Sequence, residues 1–144
     1  MFVGYIFLTI FRKKYVMKIK IDLEFPINSS PQLLYQYLST PSGLSEWFAD
    51  NVNSRGEIFT FVWGDSSEKA KLASKKTDEK ARFRWLDEDE KETENVFEFK
   101  IYRDELTKDV ILIVSDMCEE DEIDDHKLLW QNQINDLKKV LGSV

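Results

Sequence analysis

The stretch WQNQINDLKKVLG, residues 130–142, decides the architecture. Trp130, Ile134, Leu137 and Leu141 stand at i, i+4, i+7 and i+11, which places them along one side of an α-helix, and Val140 widens the stripe. Lys138 and Lys139 suit the negative end of the helix dipole, and Gly142 is placed as the terminator. Upstream, the acidic run from Glu119 to Asp125 suits the positive end and otherwise reads as a solvated connection. A helix with one apolar side must bury it, so the preceding residues have to supply a complementary surface.

They supply strands. Ile19, Ile21, Leu23 and Phe25 alternate with Lys18, Lys20, Asp22 and Glu24, the period of a strand with one buried face, which Pro26 is expected to stop. Asn28, Ser29 and Ser30 ahead of Pro31 form a helix start, and Leu34, Tyr35 and Leu38 give a short helix over 31–39 one apolar side. Thr40 to Gly43 interrupt it, and Leu44 to Phe48 reads as a second short helix. Alternation resumes over 57–63, with Phe59, Phe61 and Trp63 on one face. It continues more weakly over 69–74, then through Ala81, Phe83 and Trp85, through Phe97, Phe99 and Ile101, and through Val110, Leu112 and Val114. The run DEDEKETE, residues 87–94, reads as a solvated connection, because so many charges resist burial without partners.

Composition agrees with one domain. The 144 residues are 42% hydrophobic and 13% aromatic, enough to fill a sizeable core. The formal charge is −7, and three of the twenty basic residues lie in the first sixteen, leaving 17 against 27 acidic ones from Met17 onward. That sign excludes duplex nucleic acid and anionic membrane surfaces as partners of residues 17–144. The lone Cys118 excludes an internal disulfide and points to a reducing, cytoplasmic compartment, with the thiol acting as a small hydrophobe. The segment MFVGYIFLTIFRKKYV, residues 1–16, carries its basic cluster after its apolar residues, the reverse of a secretory signal, and falls short of a bilayer span. We therefore divide the chain into an N-terminal extension, 1–16, and a domain, 17–144; a misplaced start with true initiation at Met17 and an amphipathic anchor are the two readings of the extension.

The sequence offers few groups for catalysis. The only imidazole, His126, lies among Asp124, Asp125 and Lys127 and is expected to be exposed, and no second histidine joins it as a metal ligand. The acidic runs lack the spaced pattern of a calcium loop, and the five glycines stand singly, so no metal and no nucleotide cofactor is indicated. No catalytic residue is assigned.

One strand, two short helices carrying Pro31, Leu34, Tyr35, Leu38, Pro41, Leu44, Trp47 and Phe48, a run of strands carrying Phe61, Trp63, Phe83 and Trp85, and a final helix with Trp130, Leu137 and Leu141 together resemble the START-like, or helix-grip, superfamily. The likeness is greatest to START-like proteins of Bacteroidetes related to the AHA1-like chaperone-activator branch, and it covers residues 17–144. It implies an α+β fold in which a curved antiparallel sheet of about six to seven strands wraps the long C-terminal helix, with the two short helices after the first strand. It also implies a cavity between sheet and helix, for which Trp47, Phe61, Trp63, Phe83, Trp85, Phe97, Phe99, Trp130 and Ile134 are the lining candidates. Two readings of these side chains stand: they line a cavity, or they fill it. Arg82 and Arg84 flank Phe83 and either anchor a ligand's anionic group or lie on the outer face against Glu98. The resemblance implies non-enzymatic binding of a small hydrophobic ligand, or a protein-interaction module like the chaperone activators, with cyclase or lyase chemistry a third course that has no assigned acid or base.

Overall fold

A computed structural model describes residues 18–142. Seven strands form one antiparallel sheet: β1 (Lys18–Ile27), β2 (Asn51–Arg55), β3 (Ile58–Trp63), β4 (Ser66–Lys76), β5 (Lys80–Leu86), β6 (Glu92–Arg103) and β7 (Val110–Glu119). The spatial order is β1-β7-β6-β5-β4-β3-β2, so β2 to β7 form a meander and β1 closes on its last strand. Breaks in register between Leu72 and Ser74 and between Arg84 and Leu86 bend the sheet, as bulges do. Helices α1 (Pro31–Ser39) and α2 (Pro41–Ser45) follow β1, and α3 (Ile123–Leu141) ends the described chain after a 3-10 turn at Glu120–Glu122. The expected extension, residues 1–16, lies outside the described residues. Among the described residues no helix is long and apolar enough to cross a membrane.

The local chemistry explains the element ends. Ser30 caps α1 by accepting from the Leu33 amide at 3.1 Å, with Pro31 in the first turn. Thr40 ends α1 and starts α2, its hydroxyl accepting from the Gly43 amide at 3.0 Å. Gly142, at φ 71°, closes α3 with its amide on the carbonyls of Lys138 and Lys139. On β3, Phe59, Phe61 and Trp63 are buried while Ile58, Thr60 and Val62 are half-buried, so the outer face is partly covered too.

Four expectations need correction. Pro26 does not stop β1 but sits within it opposite Ile111, which an edge strand tolerates because one of its sides needs no N–H donors. The second short helix spans Pro41–Ser45, and Trp47 and Phe48 follow it in a turn, because the Thr40 cap sets the start earlier than Leu44. Strand β6 begins at Glu92, inside the acidic run, so the solvated turn is shorter; Asp87 closes it by accepting from the amides of Asp89 and Lys91. The acidic run before Trp130 is likewise partly structured: α3 starts at Ile123, and Glu119 is buried at the end of β7.

Candidate functional site

Strand parity aims one set of rings at α3. Phe59, Phe61 and Trp63 on β3, Phe83 and Trp85 on β5, and Phe97 and Phe99 on β6 are all buried on the same face, and Trp130 and Ile134 on α3 meet them. All nine lining candidates belong to one buried cluster, so the structure brings Trp47, Phe61, Trp63, Phe83, Trp85, Phe97, Phe99, Trp130 and Ile134 together. Their rings touch: Phe83 stacks on Phe97 at 4.9 Å, Trp85 lies 5.0 Å from Phe97, and Phe99 meets Trp130 edge-on at 5.9 Å.

Arg82 and Arg84 do not join them. They point to the opposite face, where Arg82 Nε donates to Glu98 at 3.0 Å and Arg84 donates to the Thr93 carbonyl at 2.8 Å. Period-two alternation already places them opposite Phe83 and Trp85.

Phe48, like Phe59, is a ring of this cluster that the lining candidates left out. It is 1% exposed and contacts Trp47, Phe61, Trp63, Phe97, Phe99 and Trp130. The expected helix over Leu44 to Phe48 and the resemblance both carried Phe48 beside Trp47, but neither gave its aim, because the chain turns there and a turn has no period to reveal an inward residue. The turn is anchored at three points: Trp47 Nε1 donates to the Tyr37 carbonyl at 2.8 Å, while Trp63 Nε1 at 3.0 Å and Gln133 Nε2 at 3.3 Å both donate to the Phe48 carbonyl.

Beside this turn opens a cleft of about 370 Å3. Trp47, Phe48, Ala49, Trp63 and Val140 give it apolar walls, and Glu46, Asp50, Gln133, Asp136 and Lys139 give it a polar rim. A second open cleft, of about 440 Å3, lies between the ends of β1 and α3 against the β6–β7 hairpin, lined by Pro26 to Ser29, Lys108 to Val110 and Lys138. Among the described residues no ring of the cluster lines the second cleft, whereas Trp47, Phe48 and Trp63 line the first and join it to the aromatic interior.

A buried polar group lies at the other end of α3. Asp116 Oδ2 accepts from Trp130 Nε1 at 2.8 Å and lies 3.2 Å from His126 Nδ1. A carboxylate oxygen that takes the indole N–H acts as an acceptor, which assigns the Nδ1 hydrogen to His126. His126 is 1% exposed, which corrects the expectation of an exposed histidine. The reason is periodicity: His126 stands four residues before Trp130, so the buried stripe runs through it, just as Asp116 continues the inward series Val110, Leu112, Val114. Its Nε2 is buried and has no hydrogen-bond partner among the described residues, so the pair serves to tie α3 to β7. Replacing Asp116 by Ala strands two buried donors and is expected to cost about 3 kcal/mol in urea unfolding, whereas Asp116→Asn keeps an acceptor for Trp130 and loses less.

Nearby, Glu119, Asp121 and Glu122 bring carboxylate oxygens within 4.8 Å of one another. Burial, then the neighbouring carboxylates led by Asp116, push the Cys118 thiol from 9.0 up to about 11. It is therefore expected to resist alkylation by iodoacetamide at pH 8 in the native protein and to react once the chain is unfolded in urea. Because the unfolded thiol ionises at a lower pH than the folded one, this group's contribution to stability is lost as pH rises between 9.0 and about 11.

The family model for the START-like superfamily domain matches residues 15–143. A Bacteroides fragilis protein solved by solution NMR is 40% identical, with 85% of this chain and 90% of that one covered at a TM-score of 0.62. The Aha1 dimer from Colwellia psychrerythraea is 17% identical, with 85% and 96% covered at 0.70, and a Mesorhizobium loti protein is 14% identical, with 86% and 97% covered at 0.70. At those identities the last two speak to the fold alone. No curated protein matches the sequence.

Proposed function

This chain belongs to the START-like superfamily, and on that premise we propose that its domain binds a small hydrophobic molecule between the sheet and α3, taken up through the cleft beside Phe48. One observation carries the reading: the wall of an open cleft of about 370 Å3 is the edge of the buried ring cluster, so an apolar molecule reaches aromatic surface without crossing a polar layer. Small-molecule sites have this make-up, mostly apolar with a few polar groups at the rim. The lone cysteine supports a cytoplasmic setting.

Tryptophan emission tests the proposal, because Trp47 and Trp63 line the cleft. Titration with a panel of apolar compounds is expected to give a saturable change that Val140→Glu, which puts a charge in the cleft, abolishes while the fold persists. A linear, unsaturable response from the whole panel would count against ligand binding.

A second reading, a protein-interaction module of the AHA1-like kind, is favoured by the rings closing on one another, which leaves the domain complete without a ligand. Its test is affinity capture followed by reconstitution: a single stoichiometric partner supports it, and failure to rebuild any complex from purified components contradicts it.

A further inference from the structure

The ring of Phe48 is near-parallel to two others. Phe97 is 5.6 Å away at 25°, and Trp130 is 5.9 Å away at 21°. Phe97 belongs to β6 and Trp130 to α3, so the sheet and the helix each supply one of these contacts. The place that the Phe48 ring fills therefore offers a flat apolar group two near-parallel rings to stack on, since offset stacking is a favoured aromatic arrangement.

Phe48 itself belongs to neither layer. It comes from the turn after α2, and its carbonyl is held by Trp63 and Gln133. Those two bonds hold the peptide and not the ring, so displacing the ring by rotation about χ1 does not require the turn to move. The cleft lies directly beside it, and Trp47, Trp63 and Val140 offer the ring apolar contact there. The rim sets a charge preference: Glu46, Asp50 and Asp136 outnumber Lys139, so an anionic ligand is repelled.

We propose that Phe48 is a plug, and that an uncharged or cationic planar aromatic molecule takes its place against Phe97 and Trp130 as the Phe48 ring swings into the cleft. This rests on the ligand-binding reading above and adds to it the ligand class and the side chain that yields.

The test is NMR of the full-length protein with two probes of one ring system, 1-naphthylmethylamine and 1-naphthoic acid. The amine is expected to bind, to show contacts to the Phe97 and Trp130 rings, and to erase the contact between Phe48 and Trp130; the acid is expected to bind at least about tenfold more weakly. Phe48→Leu keeps the core filled with a side chain that has fewer stacking contacts to lose, and is expected to bind the amine about fivefold more tightly. Persistence of the Phe48–Trp130 contact in the saturated complex overturns the plug, as does unchanged affinity in Phe48→Leu, while equal affinity for the acid overturns the charge preference. If aliphatic compounds bind and neither naphthalene does, the plug fails and the ligand-binding reading stands. If nothing apolar binds, both fail.

Discussion

Phe97→Ala is expected to lower the unfolding free energy by about 4 kcal/mol, the upper part of the range for removing a buried phenyl ring. Phe97 is 1% exposed and touches Phe48, Phe61, Phe83, Trp85 and Phe99, so the loss is shared among five rings. Relaxation into the hole is limited, because Phe83 and Phe97 face each other on paired strands and Trp85 shares the β5 ladder. A cavity that cannot collapse costs both the transfer term and the lost contacts. Urea unfolding measures this directly: the midpoint should fall with the slope unchanged. Phe97→Leu, which keeps most of the volume, should lose about 1.5 kcal/mol or less. A loss below that for Phe97→Ala would mean that the rings do not form the tight cluster described here.

The second large effect runs against local propensity. Alanine is a better helix former than glycine by about 1 kcal/mol, so Gly43→Ala in α2 should stabilise if only the helix mattered. A Cβ at Gly43, however, would overlap the Gln36 carbonyl oxygen and lie 2.6 Å from the Tyr37 Cα. Both are backbone atoms of α1, which cannot swing aside as a side chain does. The two helices must therefore separate, and we expect a net loss of about 3 kcal/mol in urea, with a lowered Tm. The displacement also reaches the cleft, because the Phe48 turn follows α2 directly. Unchanged or higher stability in Gly43→Ala would show that the α1–α2 contact is looser than this.

These two residues also mark what the chain discloses before folding. Phe97 could be assigned to the core from alternation with Glu98 and Phe99, because a strand with one buried face has a fixed period. The same rule recovered Phe61, Trp63, Phe83 and Trp85, and the 3.6-residue period recovered Trp130 and Ile134, so most of the ring cluster was legible. Gly43 looked like a helix breaker, because its role depends on where α1 passes. Strand β2 was invisible for a similar reason: of Asn51 to Arg55 only Val52 is apolar, and its pairing with β3 makes it a strand. Phe48 sits in a turn without periodicity, so only the fold shows that it lies at the centre of the rings. The pairing of Asp116 with His126 was accessible to the same periods, but polar side chains at inward positions read as surface until their partners are seen.

The central claim, that this domain holds a small hydrophobic molecule beside Phe48, is tested most directly by native mass spectrometry of the protein purified from its own organism. We predict a mass above that of the bare chain, with the excess released as one small apolar compound on denaturation. A bare chain mass in the native spectrum, persisting after incubation with the apolar panel, would contradict it.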